Sequence, residues 1–88
     1  MNQQSKVVLY KADPCGYCSA AIRYLTEIKG LEVEIIDITG DAEERIALMR
    51  KTGRRTVPQI FINDVHVGGY DDLVRKDRLG EIDLLLDS

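Results

Sequence analysis

Two cysteines separated by two residues, in the stretch Cys15-Gly16-Tyr17-Cys18, lie between an apolar run and a helical pattern. The run Val7-Val8-Leu9-Tyr10 predicts a buried strand. If Cys15 opens the helix, Cys18 follows one turn later on the same side, and helix dimensions place their Cα atoms roughly 5 Å apart. That separation suits a disulfide, so the pair can be oxidised and reduced without moving the backbone.

The position of Cys15 at the start of a helix distinguishes the two thiols. Unpaired backbone N–H groups and the positive end of the helix dipole face its sulfur, and both favour the thiolate. Cys18 lies deeper in the helix, where we expect a more buried and more protonated thiol. One cysteine is therefore expected to attack and the other to resolve, as in dithiol redox chemistry.

Two other interpretations of the cysteine pair have to be weighed. Structural zinc needs four ligands, and His66 is the one histidine that could join the two cysteines. A purely structural disulfide is the second alternative, but a loop this short gains little stability from being closed. The redox interpretation is therefore the strongest of the three.

Length and composition restrict the class of protein further. The 88 residues, 44% of them hydrophobic, predict a single domain over residues 1–88 with its own small core. A net charge of −3 argues against general binding to nucleic acid or to a membrane surface. The N-terminal residues resemble neither a signal peptide nor a membrane span, so we expect a cytoplasmic protein, where paired cysteines are more often catalytic.

The first half of the chain predicts a strand, a helix and a second strand. The first helix extends to about Lys29 before Gly30. The stretch Leu31-Glu32-Val33-Glu34-Ile35 alternates with a period of two, which predicts a strand with one solvated face that extends to Ile38. A helix between two strands favours a right-handed parallel crossover. The apolar face of that first helix is predicted to consist of Ala21, Ile22, Leu25 and Ile28.

A second helix follows. Asp41 can cap it, Glu44 occupies the capping-box position, and Gly53 ends it. Its core face is predicted to consist of Ala42, Ile46 and Met49.

The last part of the chain predicts a hairpin and a C-terminal helical region. Strands over residues 59–62 and 65–67 are joined by Asn63-Asp64, a pair typical of a tight turn. The helical region starts at Asp71 or Asp72, bends near Gly80 and runs to about Leu86. The order β-α-β-α-β-β-α predicts an α/β protein with a four-stranded mixed sheet flanked by helices.

Three motifs together resemble the glutaredoxin family along nearly the whole chain. They are the Cys15–Cys18 motif, the stretch Thr56-Val57-Pro58-Gln59-Ile60-Phe61-Ile62, and Gly68-Gly69-Tyr70-Asp71-Asp72-Leu73. The resemblance implies a thioredoxin-like fold, a cis peptide bond before Pro58, and glutathione as the thiol partner. Thioredoxin itself is a poorer match, because this chain has Gly16-Tyr17 between the cysteines and no tryptophan.

The resemblance also implies a set of glutathione-binding residues. Cys15 would meet the glutathione sulfur and Tyr17 would flank it. The backbone of Val57 would pair with the tripeptide. The amides near Asp71 would receive the γ-glutamyl carboxylate, and Asp72 would receive the ammonium. The remaining contacts would come from Thr56 and Gly69.

The expected receptor for the glycine carboxylate departs from the family pattern. The family has a lysine three residues before the first cysteine, where this chain has Ala12. Lys11 is one residue earlier and is the candidate replacement, while Arg45 on the second helix matches the family's polar position. His66 is expected to be structural. The basic residues of the second helix and the following loop are either a solvated helix end or a positive rim that attracts glutathionylated proteins: Arg50, Lys51, Arg54 and Arg55.

The resemblance implies two functions of different classes. The first is an enzyme, a glutathione-dependent thiol–disulfide oxidoreductase that acts as a monomer on glutathionylated or disulfide-containing proteins. The second is a carrier or sensor, because members with glycine at the position of Gly16 include some that bind an iron–sulfur cluster. In that alternative two Cys15 thiolates and two glutathiones would hold a [2Fe–2S] cluster between two monomers. A catalytically silent interaction domain fits poorly with two retained cysteines.

Overall fold

The computed structural model describes residues 5–87, so the prediction that no signal peptide begins the chain falls partly on residues 1–4, outside this range. The elements follow the predicted order as far as the fourth strand, and two helices follow where one bent helical region was predicted. The elements are β1 (Val7–Lys11), α1 (Gly16–Arg23), a π-helical segment (Tyr24–Ile28), β2 (Glu34–Asp37), α2 (Ala42–Thr52), β3 (Gln59–Ile62), β4 (Val65–Gly68), α3 (Tyr70–Arg78) and α4 (Glu81–Leu86).

The four strands form one mixed sheet in the order β2-β1-β3-β4. β1 pairs with β2 in parallel, as the helix between them predicted, and pairs with β3 in antiparallel orientation. At the centre of the sheet, Leu9 of β1 is paired with Ile35 of β2 on one side and with Ile60 of β3 on the other. β1 and β3 are therefore the central strands, and the loops at their ends lie beside one another.

Helices cover both faces of the sheet. Val7 and Leu9 belong to a core shared with α1, α3 and α4, whereas Val8 belongs to a second core shared with α2. Because successive side chains of a strand point to opposite faces, one apolar run supplies both cores. The four-stranded mixed sheet flanked by helices is confirmed.

The first helix reaches Lys29 as predicted, but its last part is π-helical. The N–H of Lys29 bonds to the carbonyl of Tyr24, five residues back, at 3.0 Å. A π turn holds more residues than an α turn, so positions beyond it leave the face predicted from a 3.6-residue repeat. Ala21 and Leu25 are fully buried, whereas Ile28, predicted on the same face, is 66% exposed.

The second strand starts later than the alternation predicted. β2 covers Glu34–Asp37, and Leu31 and Val33 precede it. Both residues are partly buried against the larger core from an irregular segment, and the N–H of Leu31 bonds to the carbonyl of Leu25 at 3.0 Å. The alternation of apolar and polar residues before Glu34 therefore reflects packing against the core by a segment that is not part of the sheet.

The core face predicted for α2 is wrong. Asp41 caps the helix by accepting the N–H of Glu44 at 3.0 Å, as predicted. However, Leu48 is the buried residue of this helix, while Ile46 is 45% exposed and Ala42 is also exposed. The sequence places apolar residues around much of the helix, so the buried side depends on where the sheet holds it.

The hairpin is confirmed, since both Asn63 and Asp64 have positive φ angles, of 50° and 69°. The C-terminal region is two helices rather than one bent helix. α3 ends at Arg78 and α4 begins at Glu81, with Gly80 at φ 80° between them.

Candidate functional site

Cys15 is the residue that caps α1 at its N-terminus. Its backbone is extended, with φ −157°, and its Sγ accepts the N–H of Cys18 at 3.2 Å. The sulfur thus occupies the position where a Ser, Thr or Asp side chain usually caps a helix. The sulfur thereby lies at the positive end of the helix dipole, the environment in which reactive cysteines are found, and this position supports its predicted role as nucleophile.

Cys18 has the opposite environment. It is 1% exposed, and both cysteines are free thiols. Burial raises the pKa of Cys18 to about 11, and its hydrogen bond with Cys15 adds to the increase. The structure therefore contains one half-buried sulfur at a helix start and one buried, protonated sulfur a turn further on, as the sequence predicted.

The loop that precedes β3 lies against the first cysteine. The Sγ of Cys15 lies 3.6 Å from the carbonyl oxygen of Val57, to which the thiol form donates. The peptide bond between Val57 and Pro58 is cis, which confirms the expectation from family resemblance. A second cis bond precedes Pro14, which the sequence analysis did not predict.

A pocket of about 290 Å³ collects most of the predicted binding residues. Cys15 does not line it, but Val57, whose carbonyl oxygen contacts the Cys15 sulfur, does. The pocket is formed by the loop before β3 and the start of α3. Seven predicted residues line it: Tyr17, Thr56, Val57, Pro58, Gly69, Asp71 and Asp72. Arg54 and Tyr70 also line it and were not among the predicted site residues. The signal for Arg54 was its place in the basic cluster, and the signal for Tyr70 was its place directly after Gly69.

Asp72 is the most heavily bonded side chain of the pocket. Its Oδ2 accepts the N–H of Gly69 at 2.9 Å and pairs with Arg54 Nη1 at 2.6 Å, and its Oδ1 pairs with Arg75 Nη2 at 2.8 Å. The Arg54 guanidinium, with the Gly69 N–H and Arg75, holds the pKa of Asp72 well below its usual range. The start of α3 therefore combines a carboxylate that ionises readily with first-turn N–H groups that have no partner within the helix.

Lys11 and Arg45 do not line the pocket. Lys11 Nζ pairs with Asp13 at 3.0 Å, and its charge lies close enough to Cys18 to favour the Cys18 thiolate weakly against burial. Arg45 is exposed on α2. Their predicted contacts with the glycine carboxylate stay predictions.

The buried side-chain amide of Gln59 holds Thr56 in place by hydrogen bonding. Gln59 is fully buried, and its Nε2 donates to the Thr56 carbonyl oxygen at 2.9 Å and lies 3.3 Å from the Thr56 hydroxyl. Its Oε1 lies 2.7 Å from Nε2 of His66, so that nitrogen carries the hydrogen and donates. Burial and the Arg54 charge lower the pKa of His66, which favours this neutral form. His66 thus has the structural contact expected of it.

Residues 5–87 contain no cluster of three or more histidine, cysteine or acidic side chains placed to hold a metal ion. A shared [2Fe–2S] cluster would need one Cys15 from each of two chains, so this alternative stays a prediction. None of the described helices is long and apolar enough to cross a membrane.

A cysteine pair at the start of the helix after β1, in a four-stranded mixed sheet with a cis-proline loop against the first sulfur, defines a thiol–disulfide oxidoreductase of the thioredoxin-like fold. The family model described as glutaredoxin matches residues 7–67, more than half of the chain. A glutaredoxin of Pseudomonas aeruginosa is 45% identical over 80 residues, covering 91% of this chain and 94% of the relative. Glutaredoxin 3 of Escherichia coli is 40% identical over 82 residues, covering 93% and 98%. The chain belongs to the glutaredoxin family.

Solved structures agree with this assignment. A buckwheat glutaredoxin in complex with glutathione superposes with a TM-score of 0.81 at 31% identity, covering 94% of this chain and 77% of that one. The solution structure of a Brucella melitensis glutaredoxin gives a TM-score of 0.78 at 42% identity, covering 92% and 87%. The resemblance inferred from three motifs therefore extends over most of the chain, 94% and 92% of it in these two comparisons.

Proposed function

We propose that the protein uses glutathione to reduce protein–glutathione mixed disulfides and protein disulfides. The observation that carries this proposal is the position of Cys15 Sγ, a helix-capping sulfur that lies 3.6 Å from the carbonyl oxygen of Val57. Val57 itself lines the pocket. The buckwheat relative was solved in complex with glutathione, which supports the choice of thiol.

The pocket offers glutathione a partner for each of its parts. The backbone of Val57 can pair with the tripeptide backbone, as an added strand does. First-turn amides of α3 near Asp71 suit the γ-glutamyl carboxylate, and the ionised Asp72 suits the ammonium. Lys11 and Arg45 are proposed for the glycine carboxylate.

Removal of glutathione from a protein is a pair of thiol–disulfide exchanges. The Cys15 thiolate attacks the glutathione sulfur of the mixed disulfide, the protein sulfur leaves with the electron pair and takes up a proton, and Cys15 becomes bonded to glutathione. A second glutathione, as its thiolate, attacks the glutathione sulfur on Cys15. The products are glutathione disulfide and the Cys15 thiolate, which is a good leaving group because the helix start stabilises it.

Protein disulfides require both cysteines. Cys15 attacks one sulfur to form a mixed disulfide with the substrate, and Cys18 then loses its proton and displaces the reduced protein. The resulting Cys15–Cys18 disulfide is returned to the dithiol by two glutathiones, which leave as glutathione disulfide. The buried, protonated Cys18 suits this second role, because it does not compete with Cys15 for the first attack on the substrate.

The dependence on glutathione is tested by changing the reductant. Turnover of a glutathionylated peptide is measured with glutathione and glutathione reductase, and in parallel with thioredoxin and thioredoxin reductase. We expect turnover that increases with glutathione concentration, and little with the thioredoxin system. Efficient turnover with thioredoxin and none with glutathione would contradict the proposal.

We further propose that the enzyme works as a monomer in the cytoplasm, where glutathione keeps the dithiol reduced.

A further inference from the structure

Two residues that line the pocket form an ion pair, which joins the loop after α2 to the start of α3. Arg54 follows directly after Gly53, the residue that ends α2, and Asp72 lies in the first turn of α3. Arg54 Nη1 and Asp72 Oδ2 are 2.6 Å apart, and both residues line the pocket. The Asp72 side chain is 14% exposed and that of Arg54 is 44% exposed, so the guanidinium lies on the open side of the pair.

The γ-glutamyl end of glutathione carries both signs of charge on one carbon atom, an ammonium and a carboxylate. Under the proposed function, on which this inference rests, the ammonium is received by Asp72. Both Asp72 oxygens are already paired, Oδ2 with Arg54 and the Gly69 N–H, and Oδ1 with Arg75. Of the two charged partners, Arg54 lines the pocket and Arg75 does not. Binding of the ammonium therefore displaces the guanidinium within the pocket, and the ligand's own carboxylate arrives beside it.

We propose that Arg54 is a specificity-determining residue that binds the γ-glutamyl carboxylate. The zwitterionic head inserts between Arg54 and Asp72, so one ion pair is exchanged for two. Arginine suits this exchange, because its planar group of donors can pair with one carboxylate through two parallel hydrogen bonds. The first-turn amides of α3 then share the ligand carboxylate with Arg54.

Asp72 keeps other partners when Arg54 turns to the ligand. The Gly69 N–H and Arg75 Nη2 bond to it at 2.9 and 2.8 Å and hold the carboxylate in place. The same two contacts make Arg54→Ala a variant that retains the fold. A ligand without the α-carboxylate would break the Arg54–Asp72 pair and leave the guanidinium with no replacement, so the site discriminates against it.

The test combines a protein change with a ligand change. Arg54→Ala and the neighbouring Arg55→Ala, which is exposed and does not line the pocket, are compared for KM and kcat with two mixed disulfides of one peptide. One carries glutathione, and the other carries an analogue with hydrogen in place of the γ-glutamyl α-carboxylate. We expect Arg54→Ala to raise KM for the glutathione substrate about tenfold with little change in kcat, as for one charge-assisted contact.

The analogue separates direct binding from a positioning effect on Asp72. Direct binding predicts that Arg54→Ala has no penalty with the analogue, and that Arg54→Lys recovers part of the loss with glutathione. An equal penalty on both ligands would overturn the proposal, and so would equal behaviour of the Arg54 and Arg55 variants. If the wild type does not turn over the glutathione substrate at all, the proposed function fails instead, which is a distinguishable result.

Discussion

Cys15 and Cys18 lie one helical turn apart and differ because of where the helix begins. Cys15 is the cap, so its sulfur receives a backbone N–H at 3.2 Å and stays half-buried. Cys18 is inside the first turn and 1% exposed, and burial raises its pKa to about 11. The asymmetry needed for attack and resolution therefore follows from a shift of three positions along one helix.

This asymmetry predicts different alkylation of the two thiols. With iodoacetamide at pH 7 the native, reduced protein should be modified at Cys15, whereas Cys18 should react only as the pH approaches its raised pKa of about 11. The sign follows from the chemistry, because a thiol with a raised pKa keeps its proton to higher pH and the thiolate is the reactive form. The measurement is mass spectrometry of the peptides after timed labelling.

Unfolding provides the control for this experiment. In concentrated urea both thiols should react at similar rates, because burial no longer distinguishes them. Faster labelling of Cys18 than of Cys15 in the native protein at pH 7 would contradict the assignment of roles.

At the scale of elements, the junction between β4 and α3 carries the tightest backbone requirement of the site. Gly68 has φ 119°, and a Cβ added there would lie 2.4 Å from Oδ2 of Asp72. This position therefore has to be glycine for two reasons, a backbone conformation that side chains rarely adopt and a carboxylate in contact with the backbone.

Gly68→Ala should consequently lower both stability and glutathione binding. We expect a loss of more than about 2 kcal/mol in the free energy of unfolding, because strain and a clash combine. KM for a glutathionylated peptide should also rise, since Asp72 has to move. The two quantities are measured by urea denaturation and by steady-state kinetics.

Gly30→Ala is the matched control. Gly30 also has a positive φ, of 69°, but nothing lies within 4 Å of an added Cβ. This variant should lose about 1 kcal/mol from backbone strain alone and leave KM unchanged. Equal losses in the two variants would show that the contact with Asp72 does not constrain the junction.

For the whole molecule, sequence patterns predicted what depends on local chemistry. The order of strands and helices as far as β4, the Asp41 cap and the Asn63-Asp64 turn follow from neighbours in sequence, and all are confirmed. The predictions of the buried side of α2 and of the start of β2 were wrong, because the position of the sheet decides which apolar residues are covered.

The residues of the candidate site were also predicted in part. Seven of the residues implied by family resemblance line the pocket, and the cysteines have the expected environments. Arg54 was placed only in a basic cluster, because its partner Asp72 is 18 residues away and only the folded chain brings them within 2.6 Å. A motif defines residues close in sequence, whereas an ion pair across a pocket depends on tertiary structure.

The central claim is that a single sulfur, Cys15, performs the attack and that Cys18 only resolves. It is tested most directly by steady-state reduction of a glutathionylated peptide, with glutathione as reductant, by the wild type, Cys15→Ser and Cys18→Ser. The account predicts no turnover above background for Cys15→Ser and retained turnover for Cys18→Ser, because the glutathione route never uses the second thiol. Activity that survives in Cys15→Ser, or that is lost in a folded Cys18→Ser protein, would contradict it.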